Sequence, residues 1–498
     1  MLYSGVFANK NALAIFGAIW YNVVVILFGR LYMKRKISLI LVICMILSMV
    51  LSLTSCDAVE RFIAGFNPPV VNGVKLSEYV IVFDADGADY NERAAKYIQE
   101  RAFELGVRLD IVDDSAAPAE HEIVVGETSR VISKVLSVDT TGVEFAILAM
   151  EGSIALEGDY FVIAAAAYFF METYAPASGY ESTVPEEIKV HQPIAKEAKN
   201  FIMLIGDGMG VYQTLLFDFM ENNCDYSDGE DLFYGYMLPY QGYSMTESLS
   251  GITDSAAGGT ALACGYKTYN EYIGRDANQN DIKSLTELAI EMGKSGAVMS
   301  TENKTGATPS SFSAHADSRN STAEIMASQT ESIKNYGMIV DCGYDYYTVT
   351  YVDEIIEQHI TDTLASVSAN EKGFFLMYEE AHIDKHCHNN KIDKTFLAVA
   401  RFNQAIGRFM EFAFYNPDTL VLITADHETG MLLPDADGKL HYNDTDHSAA
   451  NVPIFAWGKG AELFDGATIE NIQIAHTIAA LMGEDNFGDQ SEYKSLTK

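Results

Sequence analysis

Beyond residue 200 the sequence sets acids and histidines at a few well-defined points. Asp207 follows the apolar run 201–205, inside Gly206-Asp207-Gly208-Met209-Gly210. Glu379 and Glu380 follow the run 374–377, and Asp426-His427 follow 419–423. Carboxylates brought together from three separate strands suit hard divalent cations, and imidazole shifts the preference toward zinc. Asp384 and His388 are four residues apart, so a helical turn puts both on one face, as a metal pair requires. His447, in Asp446-His447-Ser448-Ala449, closes the set. Singly each has a plainer reading, Asp207 as a helix cap and His388 as a surface histidine. Together they point to a metal centre.

The candidate nucleophile is Ser255, within Thr253-Asp254-Ser255-Ala256-Ala257-Gly258-Gly259-Thr260. Small residues after it let a ligand approach the backbone closely, and the alanine-rich sequence favours a helix starting there. A helix N-terminus offers free N–H groups and the positive end of a dipole to a phosphate. Taken alone, Asp-Ser-Ala-Ala is an ordinary helix N-cap.

These residues need a frame. From about 200 onward short apolar strands alternate with helices, which implies a largely parallel sheet covered on both faces. Runs 201–205, 297–300, 374–377 and 419–423 are its expected strands. Residues 284–292 form an expected helix, with a Ser284/Glu287 capping box and Gly293 after it. In such sheets sites form beyond the carboxyl ends of the strands, where the acids lie. Residues 57–198 read as a smaller α/β unit. Strands are expected at 79–83, 107–112 and 122–125, and helices at 90–105 and 160–174. This part carries no catalytic cluster. Pro185, Pro193 and Lys196-Glu197-Ala198-Lys199 mark a linker, so the catalytic region is expected over 199–498.

Composition narrows the function. A net charge of −36 over 498 residues argues against broad nucleic-acid or membrane-surface contact. An anionic small substrate stays open, because metal ions invert the local field in a cleft. Six cysteines are too few and too scattered for a disulfide framework or a CxxC zinc site. Met33-Lys34-Arg35-Lys36, the apolar run 37–53 and Leu53-Thr54-Ser55-Cys56 read as a secretory leader over 33–56. Its end resembles a bacterial lipobox, which implies lipidation at Cys56 and an extracytoplasmic protein anchored to the cell membrane as a lipoprotein. Residues 1–32 fit this leader poorly. They are read as an upstream extension with translation starting at Met33, the apolar run 12–29 leaving a membrane segment as the alternative.

The ordered set of motifs resembles the alkaline phosphatases over roughly residues 200–480. Thr253-Asp254-Ser255-Ala256-Ala257 with Gly265-Tyr266-Lys267-Thr268 is similar to that family's nucleophile segment. In the same order come Asp207, then Ala307-Thr308-Pro309 with Ala314-His315 and Arg319, then Glu379, Ile383-Asp384-Lys385 and His388, then Asp426-His427 and His447. The resemblance implies a doubly wound, mostly parallel α/β sheet of the alkaline phosphatase type, preceded by the small α/β accessory domain. It implies hydrolysis of small phosphate monoesters through a phosphoseryl intermediate on Ser255. It also implies two Zn2+ and one Mg2+. Asp384, His388 and His447 would hold the first zinc. Asp426, His427 and Asp207 would hold the second, with the Ser255 oxygen. Asp207, Thr308 and Glu379 would hold the magnesium, and Arg319, oriented by Asp254, would clamp the phosphoryl oxygens.

Some positions depart from the family pattern. Gly306 stands where relatives often carry an Asp or His that ties water to the third metal. Lys385 is placed either to reach phosphate through water or to be solvated. The stretch 428–446 is short, without the insertion that some relatives use at a dimer interface. Cys264 and Cys387 read as buried free thiols. His382, His386 and His441 have no matched role. The alternatives are a phosphodiesterase of the same superfamily and a non-catalytic surface-binding lipoprotein.

Overall fold

The structure is a computed structural model that describes residues 65, 67–84, 89–135, 142–191, 195–217, 232–343 and 354–497. The leader over 33–56, Cys56 and the extension 1–32 lie outside the described residues. Among the described residues no helix is long and apolar enough to cross a membrane.

Two sheets organise the chain. The N-terminal sheet contains β1 (Val80–Phe83), β2 (Asp110–Asp113), β3 (Glu122–Val125), β4 (Glu144–Met150), β5 (Ser153–Glu157) and β6 (Glu187–His191) in the order β2-β1-β3-β5-β4-β6. Its first four members in that order run parallel, and β4 pairs antiparallel with both neighbours. Helices α1 (Asp89–Glu104) and α2 (Val162–Tyr174) accompany it. The strand expected at 107–112 begins only at Asp110. Val107 and Leu109 are buried as core plugs after α1, and pairing with β1 starts beyond them.

Among the described residues the larger sheet has eight strands: β7 (Asn200–Gly206), β8 (Tyr240–Met245), β9 (Ser295–Ser300), β10 (Ile339–Cys342), β11 (Phe374–Glu380), β12 (Thr419–Thr424), β13 (Val452–Trp457) and β14 (Thr468–Glu470). Their order is β10-β9-β11-β7-β12-β13-β8-β14. Only β13 runs against its neighbours. Alternate side chains of β7 enter different cores. Ile202 and Leu204 belong to one apolar cluster, and Phe201, Met203 and Ile205 to the other. That is the two-faced burial which a continuous apolar run predicts for a parallel strand.

Register decides where the acids meet. Across β9, β11, β7 and β12 the pairs Ser300↔Glu379, Glu379↔Ile205 and Ile205↔Thr424 fall in one row. Because these strands are parallel, that row is their shared carboxyl edge. Glu379 and Glu380 are the last residues of β11 itself rather than part of the loop after it. Asp207 and Asp426 stand just beyond β7 and β12.

Among the described residues, helices near that edge or packed behind it include α3 (Ser255–Cys264), α4 (Leu285–Glu291), α5 (Ala307–Ser313), α6 (His382–Cys387), α7 (Ile392–Tyr415) and α8 (Asn471–Met482). The expected capping box opens α4, with the Glu287 N–H donating to Ser284 Oγ at 3.2 Å and the Ser284 N–H to Glu287 Oε2 at 2.9 Å. The apolar cluster on the α7 side of the large sheet continues without a break into the N-terminal unit. Phe161 meets Phe414 at 5.6 Å between ring centroids, and Tyr97 stacks on Tyr415 at 4.1 Å.

Candidate active site

Asp254 caps α3, its Oδ1 accepting from the Ala257 N–H at 3.0 Å, so Ser255 is the first residue of the helix. The helix can lie against the end of β12 because residue 258 is glycine. A Cβ there would come within 2.9 Å of the Asp426 carbonyl oxygen. This close approach brings Ser255 Oγ to 3.2 Å from His427 Nε2. Gly208 does similar work after β7. Its φ is +74°, and a Cβ would meet the Asp384 Cα at 2.9 Å, so the turn that carries Asp207 can fold onto α6.

Two clusters of ligand-type atoms result, Asp384/His388/His447 and Asp207/Asp426/His427, each with its atoms within 4.8 Å of one another. In the first, His388 Nε2 and His447 Nε2 lie 3.4 and 3.6 Å from Asp384 Oδ1. In the second, His427 Nε2 lies 3.4 Å from both Asp207 Oδ1 and Asp426 Oδ2. The His427 and His447 rings stack at 3.6 Å, so the clusters are neighbours.

The imidazoles are held in the tautomer that a metal needs. His388 Nδ1 faces the Thr445 carbonyl at 2.6 Å, and His447 Nδ1 faces the Thr253 carbonyl at 2.8 Å. A carbonyl only accepts, so each Nδ1 carries the proton and each Nε2 offers a lone pair to the cluster. For His427 the partner is Thr429 Oγ1 at 3.2 Å, whose own proton goes to Asp384 Oδ1 at 2.5 Å. Thr429 thus orients a ligand from each cluster. No sequence motif singles it out, because its role exists only once Glu428–Thr429 pairs with His447–Ser448.

Electrostatics point the same way. Burial, and then the charges of Asp426, Asp384 and Glu379, push the Asp207 carboxyl well up. Burial raises Asp426 as well, followed by the Asp384 charge, and burial lowers His427. Asp207 Oδ1, Asp426 Oδ2, Thr308 Oγ1 and Glu379 Oε1 are all buried without a hydrogen-bond partner. Orphaned buried oxygens next to like charges are costly unless cations lie among them. The donor set of carboxylates, imidazole Nε2 atoms and hydroxyls therefore fits both zinc and magnesium.

Arg319 approaches from the open side, one-third exposed, with Nη1 3.3 Å from Asp254 Oδ2. Asp254 Oδ2 also accepts from the Glu271 N–H at 3.0 Å. Lys385 is not a solvated side chain but pairs with Glu302. His315 is a packing residue between Glu287 and the Gly274 carbonyl. His441 is exposed and outside both clusters. Cys264 and Cys387 are buried free thiols.

Beneath the first cluster lies a network that no sequence motif marks. Glu380, fully buried, accepts from Arg401 Nη2 at 3.3 Å and from the His382 N–H at 3.0 Å, and His382 Nδ1 lies 3.1 Å away. Burial alone would raise this carboxyl, yet the Arg401 charge and the His382 contacts outweigh it and hold it down at about 2. The ion pair fastens the end of β11 to α7, and the His382 contacts tie the start of α6, which carries Asp384, to the same carboxylate. The one signal in the sequence is the adjacency of Glu379 and Glu380. Successive strand residues face opposite sides, one into the site and one into its support.

The profile of the alkaline phosphatase family matches residues 198–341 and 352–442. Alkaline phosphatase 4 of Bacillus subtilis is 31% identical over 339 residues, which are 57% of this chain and 73% of the relative. Alkaline phosphatase of Escherichia coli K12 is 24% identical over 409 residues, covering 58% and 87%. Among solved structures, alkaline phosphatase from the Antarctic bacterium TAB5 aligns with a TM-score of 0.51 and 26% identity, over 59% of this chain and all of that one. A histidine-to-glutamate mutant of that enzyme, solved with Mg bound in its M3 site, aligns with a TM-score of 0.50 and 25% identity, with the same coverage.

Proposed function

Because the chain belongs to the alkaline phosphatase family, and is therefore a phosphatase acting on phosphate monoesters, we propose that it works through a covalent phosphoserine on Ser255. The observation that supports this most directly is the position of Ser255 Oγ. It is buried at the start of α3, 3.2 Å from His427 Nε2, with Arg319 reached through Asp254 next to it in sequence.

Zinc ions held by Asp384, His388 and His447 and by Asp207, Asp426 and His427, with magnesium held by Asp207, Thr308 and Glu379, would neutralise the phosphoryl charge and acidify the serine hydroxyl. The chain's own residues do the rest. Arg319 takes two phosphoryl oxygens with its fork of N–H donors, and Asp254 fixes the plane of that fork. Ser255 Oγ attacks phosphorus in line, forming the Oγ–P bond as the P–O bond to the alcohol breaks. The serine proton passes to solvent, and the alcohol leaves with a proton from water. A water molecule then attacks phosphorus from the vacated side, the Oγ–P bond breaks, and Ser255 recovers a proton as inorganic phosphate departs. Export and a lipid anchor at Cys56 belong to the same reading, as does an accessory role for the N-terminal unit.

Stereochemistry tests the covalent step. Two in-line displacements give net retention at a chiral phosphate, and Ser255→Ala keeps its metals but forms no phosphoprotein. Inversion by the wild-type enzyme would demote Ser255 to a positioning residue.

A further inference from the structure

Glu302 lies between β9 and α5, and its carboxylate stands over Gly306. A Cβ built on Gly306 would fall 1.7 Å from Glu302 Oε1 and 2.0 Å from its Cδ. The Gly306 backbone, at φ −58°, is one that any residue adopts. Occupied space, not strain, makes this position fit a glycine.

Two links hold Glu302 at the site. Its own N–H donates to Ser300 Oγ at 3.0 Å, and the Ser300 hydroxyl donates to Glu379 Oε2. Lys385 Nζ donates to Glu302 Oε2 at 2.9 Å, which ties the residue after Asp384 to the same carboxylate. The Glu302 side chain is only 16% exposed and acts electrostatically on both Glu379 and Asp207. Three carboxylates thus share a space in which Lys385 neutralises one charge and Arg319 is engaged by Asp254. Glu379 Oε1, Asp207 Oδ1 and Thr308 Oγ1 remain buried without partners there. Such an arrangement is stable when a divalent cation completes it.

We infer that Glu302 supplies the third cation site with the carboxylate that residue 306, lacking a side chain, cannot. This rests on the proposed third cation. The outer carboxylate of that site, beyond Asp207, Thr308 and Glu379, is then carried by a different backbone position, with Lys385 clamping it in place.

Metal content decides the matter. Wild type, Glu302→Gln, Glu302→Ala and the double variant Glu302→Ala/Gly306→Asp are equilibrated against graded magnesium and their bound zinc and magnesium measured. Wild type is expected to hold two zinc ions and one magnesium. Both single variants keep the zinc but need about 10–100-fold more magnesium, the usual cost of losing an outer partner of a metal site. The double variant recovers much of the affinity, since the carboxylate introduced at position 306 enters the space that Glu302 vacates. Equal magnesium retention in wild type and single variants would overturn the inference and leave the third cation standing. Wild type that binds only zinc at saturating magnesium would overturn the third-cation reading itself. Loss of zinc together with magnesium in both single variants would also overturn the inference, because Glu302 would then be holding the fold.

Discussion

Arg319 and Asp254 are joined by one contact, Nη1 to Oδ2 at 3.3 Å, while the other oxygen of the same carboxylate caps α3. The residue that starts the nucleophile helix therefore also aims the guanidinium. In the proposed reaction two of the five Arg319 donors serve the substrate, and the side chain is one-third exposed, so truncation leaves no cavity in the core.

Arg319→Ala should lower monoester kcat/KM far more than diester kcat/KM. Each lost charge-assisted hydrogen bond is worth roughly 1.5–3 kcal/mol, and a diester presents one fewer charged oxygen. Parallel kinetics on a chromogenic monoester and diester check this. Equal losses on both would show that Arg319 does not read the monoester.

Removing metal should destabilise the fold as well as abolish turnover. Without cations, Asp207, Asp426 and Glu379 stay buried beside one another with oxygens unpartnered. Chelation should lower Tm, and zinc added back at about 100 times its Kd should restore roughly 2.7 kcal/mol per site. A Tm indifferent to chelator would remove the metal reading.

A pH effect is expected far from the catalytic edge. Glu157 ends β5, is 6% exposed, and has Oε1 without a partner. Burial, then the Glu127 charge, pushes its carboxyl from the ordinary 4.5 up to about 8. The folded state therefore binds more protons than the unfolded state between those values, so stability falls as pH rises through them. The effect is full below about pH 4.5, declines by at most about 1.4 kcal/mol per unit, and levels off above about pH 8. Glu157→Gln should flatten this part of the pH profile in urea unfolding. An unchanged slope would mean that the carboxyl is solvated.

Much of the large sheet and the acids at its edge are legible in the sequence for a physical reason, whereas the grouping of the ligands into two sets is legible only through the family resemblance. A strand buried on both faces is written as a continuous apolar run, and its end is marked by the acids that follow. Asp207 and Asp426 illustrate both points. What stays hidden depends on contacts distant in sequence. Thr429 orients His427 only through a two-residue strand pairing, and Glu302 reaches its place through Lys385, 83 residues away. Glu380 reads as a second ligand candidate, but the pleat turns it away from Glu379 toward Arg401. The hairpin of β4 and β5 escapes a sequence reading because residues 144–157 are apolar and acidic without clear alternation at their joint, where Glu151 takes a left-handed turn at φ +47°.

Helix α7 has two clients. On one flank Arg401 holds the support of the ligand helix, and on the other Phe414 and Tyr415 are covered by Phe161 and Tyr97 from the N-terminal unit. Salt bridges from Arg93 to Glu411 and from Arg408 to Asp89 rim that contact. Cutting the chain near residue 198 would thus expose an apolar stripe along the helix that backs the active site, an invitation to self-association. The two parts are not interchangeable building blocks. A graft of the catalytic region onto another leader, or of this N-terminal unit onto another enzyme, would have to carry the matching half of the α7 seam with it.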